Sequence, residues 1–348
     1  MLGVDVAENA EIRIERLAVG DAGALPEAIR VAYGDSYDHA WAYDAEAVAA
    51  RLGDGSLVSF VGRAHGGPDD GRVVGHAGLL RDSLSAPVGE SGLAVVDPAW
   101  RSHHLFPTLK RHLAEWCTGE GMLGMYSDVT AAHPYSETAN LHLGARETGF
   151  LLGYIPADVT YTDLDAVEGR RLTVVLFWLA TNPLPVRTVH VPPWHRPLLR
   201  LLYDHVALPR DFADSNASLP AVETALRTVE DDDHDEAFIA VERAGDDLLD
   251  ALRTERRRLT DEGRKAIYLD FSLADPTTAA LPPEVHDELG FFFGGIVPEL
   301  RDGDVLRLQH LHEVDADPSD VTTASDFGAE LLDYVFSRKR SAAHEGTS

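Results

Sequence analysis

A short strand that runs into a proline-containing turn and a helix start is the segment best suited to bind a ligand. Its residues are Leu93-Ala-Val-Val-Asp97-Pro98-Ala-Trp-Arg101-Ser102-His103-His104-Leu105-Phe106. A helix start has N–H groups without intrahelical partners and a partial positive charge, so the amides from Arg101 to Phe106 can hold a phosphate or pyrophosphate. Arg101 adds a formal positive charge. The segment therefore predicts an anion-binding turn.

Two pairs of histidines could suggest a metal site. His103 and His104 are adjacent, and His310 and His312 are one residue apart. Neither pair has a third ligand at a defined spacing, and zinc sites use three or four protein ligands. The sequence therefore predicts no bound metal.

Apolar periodicity predicts the elements that position this turn. Strands are expected first as hairpins and then in alternation with helices, which indicates a mixed sheet of the α/β (α+β) class. A proline-rich passage at 183–197 separates two halves. The predicted strands are 11–19, 57–64, 73–80, 93–96, 123–130, 150–161, 172–180, 237–242, 266–273 and 305–311. The predicted helices are 22–37, 45–52, 105–119, 136–148, 194–206, 246–262, 283–289 and 329–336.

The two halves contain related segments. Gly149-Phe150-Leu-Leu-Gly153-Tyr-Ile155-Pro156 returns 141 residues later as Gly290-Phe291-Phe-Phe-Gly294-Gly-Ile296-Val-Pro298. Glu120, Gly121, Tyr126 and Asp128 return as Glu262, Gly263, Tyr268 and Asp270. Matches in one order at nearly one offset indicate two copies of an α/β unit. We predict a first unit over 10–182, a shorter second unit over 187–336 and a disordered tail over 337–348.

The strand, turn and helix start of the first unit resemble motif A of the GNAT superfamily of N-acyltransferases. The entry Val96-x-Pro98-x-Trp100-Arg101 fits that motif, and so does the later helix that ends in Thr148-Gly149-Phe150 before a strand. The resemblance covers roughly residues 10–182, and the second unit resembles a shorter version of the same fold. It implies two GNAT-like modules and acetyl-CoA as co-substrate.

The resemblance also implies where acetyl-CoA binds. The pantetheine arm would follow the strand 93–96, which GNAT proteins splay from its neighbour, and an amide near Val95 would polarise the thioester carbonyl. The amine would then attack directly, without an acyl-enzyme intermediate. The predicted cofactor-binding residues are Leu93, Val95, Val96, Arg101, Ser102, His103, His104, Leu105, Phe106 and Thr138.

The turn departs from the family pattern. Ser102, His104 and Phe106 stand where the Arg-Gly-x-Gly-x-Gly/Ala loop has small residues, so His104 either crowds the ligand or gives it a further contact. The family's general-acid tyrosine falls on Ala145, and a frequent asparagine falls on Thr138. The proton for the leaving thiolate must therefore come from another group or from water.

Three residues are candidates for acid–base catalysis. Glu90, just upstream of the splayed strand, lies where many GNAT enzymes place a base; the alternative is a solvated strand-end carboxylate. His133 and Tyr135, in the next turn, could face the thioester; the alternative is a His-Pro-Tyr turn that packs and caps a helix. Asp128 recurs as Asp270, which favours a structural role.

The second unit departs further. Its turn, Val241-Glu242-Arg243-Ala244-Gly245-Asp246-Asp247-Leu248, is shorter and places two carboxylates at the helix start. Carboxylates there satisfy the helix dipole and repel a pyrophosphate. We expect this unit to complete a substrate cleft or to bind a protein partner.

The composition constrains the partners. With 58 acidic and 30 basic side chains the net charge is −28, which argues against nucleic acid. Only three of the basic residues are lysines, and this composition is typical of a salt-accumulating cytosol, where the charges are screened.

Cys117 is expected to be a buried thiol. The longest apolar stretch, 172–180, is too short to span a membrane, so we expect a cytoplasmic protein.

These patterns favour an acetyl-CoA-dependent N-acetyltransferase that is active only in its first module and acts on a small-molecule or peptide amine. The alternative is a non-catalytic regulator that binds acyl-CoA or a protein. A longer acyl donor would need extra room near Phe106. A V-shaped opening beside the strand 93–96, leading to a clear pocket, would favour the acyltransferase, and a closed strand pair would argue against it.

Overall fold

The computed structural model describes residues 11–345 except 36, 38, 158, 160–169 and 215–216. Within that part of the chain, twelve strands form one mixed sheet with helices packed against it, and two short strands form a separate pair. The predicted mixed α/β class is therefore confirmed.

The first half contains seven strands and four helices. They are β1 (Glu11–Arg16), α1 (Ala24–Tyr33), α2 (Ala45–Asp54), β2 (Leu57–His65), β3 (Val73–Leu80), β4 (Val88–Val96), α3 (Leu105–Gly119), β5 (Gly124–Thr130), α4 (Tyr135–His142), β6 (Arg146–Ile155) and β7 (Leu172–Ala180). The rest are β8 (Arg187–Val189), α5 (Arg196–His205), β9 (Arg210–Phe212), β10 (Ala225–Asp231), β11 (Glu236–Arg243), α6 (Leu248–Asp261), β12 (Ala266–Ser272), α7 (Glu284–Asp287), β13 (Phe292–Val297), β14 (Val305–Leu311) and α8 (Asp326–Glu345).

The large sheet has the same strand order on both sides of its centre. Its full order is β1-β2-β3-β4-β5-β7-β6-β13-β14-β12-β11-β10. Outward from the centre, the first half runs β6, β7, β5, β4, β3 and the second half runs β13, β14, β12, β11, β10. In each half the third and fourth of these strands pair in parallel, and the other neighbours pair antiparallel. The segments that repeat in sequence therefore occupy corresponding places in the sheet.

The two halves meet where β6 and β13 pair across Gly149 and Gly295. A Cβ atom on Gly149 would collide with the carbonyl oxygen of Gly294, so only glycine permits this approach. Beside the junction, the buried side chain of Gln309 donates to the Phe150 carbonyl at 2.8 Å and accepts from the Leu152 amide at 2.8 Å. One side chain thus replaces main-chain bonds that the strands do not make.

Several predicted boundaries in the first half differ from the structure, and two of them lie close to the junction or the site. The helix expected over 136–148 ends at His142, because Gly144 takes a left-handed φ of +92° and the chain then enters β6. The strand expected over 93–96 begins at Val88, because Glu90, Ser91 and Gly92 also pair with β3 although they are not apolar.

The predicted disordered tail is also wrong over residues 337–345, which continue α8. The helix is held by buried apolar side chains such as Val335 and Phe336, and Lys339 Nζ donates to the Ala316 carbonyl at 2.8 Å. The last three residues of that predicted tail lie outside the described residues.

Strand β10 was not predicted, because it is an edge strand with few buried positions. No helix among the described residues has the length and apolar character needed to cross a bilayer.

Candidate active site

The strands β4 and β5 separate to form a V. They pair in parallel only from Val88 to Glu90 and from Gly124 to Tyr126. Beyond these residues, β4 continues to pair with β3 on its other side. The apex of the V therefore lies at Glu90 and Tyr126, and it opens toward the start of α3.

A bulge in β4 shapes this opening. Leu93 has a φ of +51°, and the β3–β4 register shifts between His76 and Gly78. The buried His76 ring lies between the bulge and β2, with Nδ1 2.6 Å from the Leu93 carbonyl and Nε2 2.6 Å from Ser59 Oγ. Burial lowers the pKa of His76 to about 4. The neutral ring therefore donates to Leu93 and accepts from Ser59, which fixes the bulge.

The V opens into a cavity of about 870 Å³. Nine of the predicted site residues line it: Glu90, Leu93, Val96, Arg101, His104, Leu105, Phe106, His133 and Tyr135. Val95 instead packs in the core between the sheet and α1, and Thr138 does not line the cavity. The side chains of Ser102 and His103 lie outside the described residues. One cavity thus joins the predicted anion-binding turn to all three predicted catalytic residues.

The start of α3 supplies N–H groups to this cavity. Residues Pro98–His103 form a 3-10 helix, and His104 then takes a φ of +51° as the N-cap of α3. This left-handed conformation is the one that glycine adopts most easily. The α3 N-cap has no side-chain hydrogen bond, and its first turn has no acidic residue. The helix start thus keeps its partial positive charge for a ligand.

From the sequence, Glu90 is expected just upstream of the splayed strand. In the structure it lies within β4. It is opposite Leu80 of β3 and Tyr126 of β5, at the apex of the V. His133 and Tyr135 lie at the other rim, with ring centroids 5.3 Å apart. Burial and then the charge of Arg101 lower the pKa of His133, while Tyr135 is 77% exposed.

Lys110 lies one turn into α3, and no sequence pattern selected it as a site residue. Its side chain is buried against the cavity, and Nζ donates to Asn140 Oδ1 at 2.9 Å and to Ser127 Oγ at 3.2 Å. The Phe106 ring lies 5.7 Å from Nζ. Burial lowers the pKa of Lys110 to about 7, against the opposing charges of Asp128 and Glu90. An amine with this pKa exchanges protons at neutral pH.

The recurrence of Asp128 as Asp270 favoured a structural role for both residues, but Asp128 lies at the cavity. Its carboxylate lines the cavity, and Oδ1 is buried without a hydrogen-bond partner. Burial raises its pKa, opposed first by the charge of Arg307 and then by a hydrogen bond from Tyr154. The corresponding Asp270 instead holds Arg307 with two hydrogen bonds of 2.8 and 2.9 Å. The two repeated aspartates therefore have different environments.

The second half completes the cavity wall. Asp231, His234, Glu236 and Phe238, from β10, β11 and the turn between them, line its far side. Glu236 forms an ion pair with Arg171, the residue just before β7, and Arg171 Nη2 lies 3.0 Å from Glu236 Oε1. Burial raises the pKa of Glu236 well above its usual range.

The corresponding strands of the second half stay paired for two residues more. Strands β11 and β12 stay paired from Glu236 to Ala240. At the start of α6, the Asp246 amide donates to the Pro220 carbonyl at 2.9 Å and the Gly245 amide donates to Thr224 Oγ1 at 3.0 Å. The loop before β10 therefore already uses the amides that a phosphate would need.

No family model and no curated protein sequence matches the chain. Half of the chain is similar in structure to solved acetyltransferases. The ribosomal-protein-S18-alanine N-acetyltransferase from Escherichia coli is 18% identical, with a TM-score of 0.38, over 50% of this chain and 97% of its own. A GNAT superfamily phosphinothricin acetyltransferase from Sinorhizobium meliloti, in complex with AcCoA, is 18% identical, with a TM-score of 0.38, over 49% and 88%. An N-acetyltransferase from Staphylococcus aureus Mu50 is 16% identical, with a TM-score of 0.38, over 50% and 100%. Likeness at this level does not assign an activity, so function must be inferred from the cavity.

Proposed function

We propose that the protein is an acetyl-CoA-dependent N-acetyltransferase whose active site is the cavity of the first half. The observation that carries this proposal is the V between β4 and β5, which opens beside the uncapped start of α3. An acyl-CoA needs an anion site for its pyrophosphate and a narrow channel for its pantetheine arm. Both lie next to each other here, in one cavity of about 870 Å³.

The donor would bind along β4. The amides at the start of α3, with Arg101 at the rim, would hold the pyrophosphate. The pantetheine arm would pair with main-chain groups of β4 that β5 leaves unpaired beyond Glu90. The Ala94 carbonyl already accepts a hydrogen bond from Tyr33 at 3.2 Å, so the arm would use other groups of the strand. This places the thioester toward the apex.

Transfer to an amine needs no covalent enzyme intermediate. The amine nitrogen attacks the thioester carbonyl carbon, the C–S bond breaks, and the thiolate takes up a proton. The cavity contains carboxylates, histidines and a lysine that can move these protons. The amine acceptor enters from the side lined by the second half.

The second half is, in this proposal, a copy of the same module that does not bind acetyl-CoA. Its matching strand order and repeated segments support a common origin for the two units. The longer β11–β12 pairing and the occupied amides before α6 support the loss of a donor site. Because this half lines the cavity, we infer that it completes the acceptor cleft.

Acetyl transfer is tested by incubating the protein with acetyl-CoA and a panel of primary amines and measuring the release of the CoA thiol. Amine-dependent release, with the N-acetylated amine identified by mass spectrometry, is the expected result. Saturable acetyl-CoA binding without turnover on any amine or peptide of the panel would instead favour the non-catalytic regulator.

A further inference from the structure

The apex of the V has two chemically different sides. Ser127 and Asp128 follow Tyr126, the last residue of β5 that pairs with β4. Successive side chains of a strand point to opposite faces of the sheet. Ser127 contacts Lys110 of α3, and Asp128 interacts with Tyr154 of β6 and Arg307 of β14. A thioester at the apex would therefore have an amine on one side and a carboxylate on the other.

The α3 side faces the donor. Lys110 is on the helix whose first amides would hold the pyrophosphate, one turn beyond Phe106. An ammonium group has three N–H donors, and two of those on Lys110 bond to Asn140 and Ser127. The third is left to meet the sulfur of a bound thioester. Ala145, where the resemblance places a tyrosine acid, is buried and does not line the cavity.

The opposite side faces the wall built by the second half. There the Asp128 carboxylate has a buried oxygen without a partner. Phe238 and Tyr154 line the same part of the cavity, and Glu236 adds a second carboxylate. The Phe238 ring already packs against the Arg307 guanidinium, 5.1 Å away, so the carboxylates are the groups that favour an amine nitrogen here. This side has the chemistry to receive an amine acceptor.

We propose that Asp128 binds the nitrogen of a primary amine acceptor and takes its proton, and that Lys110 gives a proton to the CoA thiolate. This inference rests on the proposed acetyltransferase function. It assigns the base role to Asp128 rather than to Glu90, His133 or Tyr135.

The proton transfers balance. The neutral amine attacks the carbonyl carbon, and one N–H proton of the attacking nitrogen passes to the Asp128 carboxylate. The C–S bond breaks with its electron pair on sulfur, and the thiolate takes a proton from the Lys110 ammonium. After product release, Asp128 loses its proton to solvent and Lys110 regains one from solvent. An acceptor that arrives as an ammonium ion first releases one further proton to solvent.

Both groups are tuned by their surroundings. Burial raises the pKa of Asp128 and lowers that of Lys110 to about 7, so each exchanges protons closer to neutral pH than it would in water. The turnover rate should therefore fall as pH rises past about 7, since the ammonium form of Lys110 is lost. The charged and titratable groups that interact with Asp128 are Arg307, Tyr154, Lys110, Tyr126, Glu236 and Tyr268, and those that interact with Lys110 are Asp128 and Glu90.

The test compares native protein with Asp128→Asn, Glu90→Gln and Lys110→Met, using acetyl-CoA and an amine that releases thiol with the native protein. Asp128→Asn should lower kcat by about 10²-fold or more, as expected for loss of a general base, with acetyl-CoA affinity and melting temperature retained. Glu90→Gln should have a much smaller effect on kcat. Lys110→Met should lower kcat and remove its decline above pH 7.

Several outcomes would overturn the inference. One is an active native enzyme whose kcat is insensitive to Asp128→Asn, or a large loss in Glu90→Gln alone. Another is a native pH–rate profile without a decline on the alkaline side, a measurement that needs no variant. If Asp128→Asn does not fold, Asp128→Glu provides the check, because a restored carboxylate should recover activity and a change confined to stability would indicate a structural role. If the native protein binds acetyl-CoA but acetylates no amine, the proposed function fails, and this inference fails with it.

Discussion

Glu137 of α4 allows a prediction of stability that depends on pH. Its side chain is 1% exposed, Oε2 accepts the Ala324 amide at 2.9 Å, and Oε1 is buried without a hydrogen-bond partner. Burial, and to a smaller extent the charge of Glu147, raises its pKa from 4.5 to about 7. A carboxyl group whose pKa is raised on folding contributes most to stability below its unfolded pKa, and that contribution is lost as pH rises from about 4.5 to 7.

The variant Glu137→Gln keeps the size and the carbonyl acceptor of the protonated acid. A difference of about 2.5 pKa units corresponds to roughly 3 kcal/mol, an upper value because local rearrangement reduces it. Above pH 8 the variant should therefore be more stable than the native protein by about 1–3 kcal/mol. Near pH 4.5 the two proteins should be nearly equal in stability.

Urea denaturation at pH 4.5 and at pH 8.5 measures this difference as a shift in the unfolding midpoint. Glu115→Gln is the matched control, because Glu115 is exposed on α3 and the same substitution there should change little at either pH. A Glu137→Gln variant that is equally or less stable at pH 8.5 would show that this carboxylate is not strained in the folded protein.

Two further substitutions test the packing that holds the halves together. Gly149→Ala should lower the free energy of unfolding by about 1–3 kcal/mol, because its Cβ would collide with the neighbouring strand. Gly119→Ala is the control. A Cβ added at Gly119 would have no neighbouring atom within 4 Å, so this variant should have little effect on thermal unfolding. Arg210→Met should cost about 3–5 kcal/mol in chemical denaturation, because it leaves the buried Asp304 carboxylate without its cation and leaves Glu299 with only Arg187; a cost below 1 kcal/mol would contradict this.

Much of the scaffold could be predicted because it is encoded by local pattern. The strand, turn and helix start at 93–106 follow from an apolar run, a proline and a helical period, and they lie on one cavity as expected. The segments repeated in sequence occupy corresponding strands, β6 with β13 and β5 with β12. Cys117 is buried in α3, as predicted, and burial raises the pKa of its thiol to about 12.

The interior of the site could not be predicted, because it depends on contacts between distant parts of the chain. In the sequence, Lys110 is an ordinary lysine of a predicted helix. Its contacts with Ser127 and Asn140 arise only because α3 packs on β5. Asp128 looked structural because it recurs, but only Asp270 holds the nearby arginine. The wall from β10 and β11 is formed by the pairing of the two halves. The cytoplasmic and high-salt expectations stay predictions.

Calorimetric titration of acetyl-CoA in molar potassium chloride tests the central claim, using native protein, Arg101→Glu and Arg243→Glu. Arg243 is the matched control, since it is the last residue of β11, just before the turn to α6, and its Nε donates to the Glu223 carbonyl at 3.0 Å. The proposal predicts saturable binding to the native protein and to Arg243→Glu, with strong loss in Arg101→Glu. Absence of acyl-CoA binding by folded native protein, or loss of binding only in Arg243→Glu, would contradict an acetyl-CoA site in the first half.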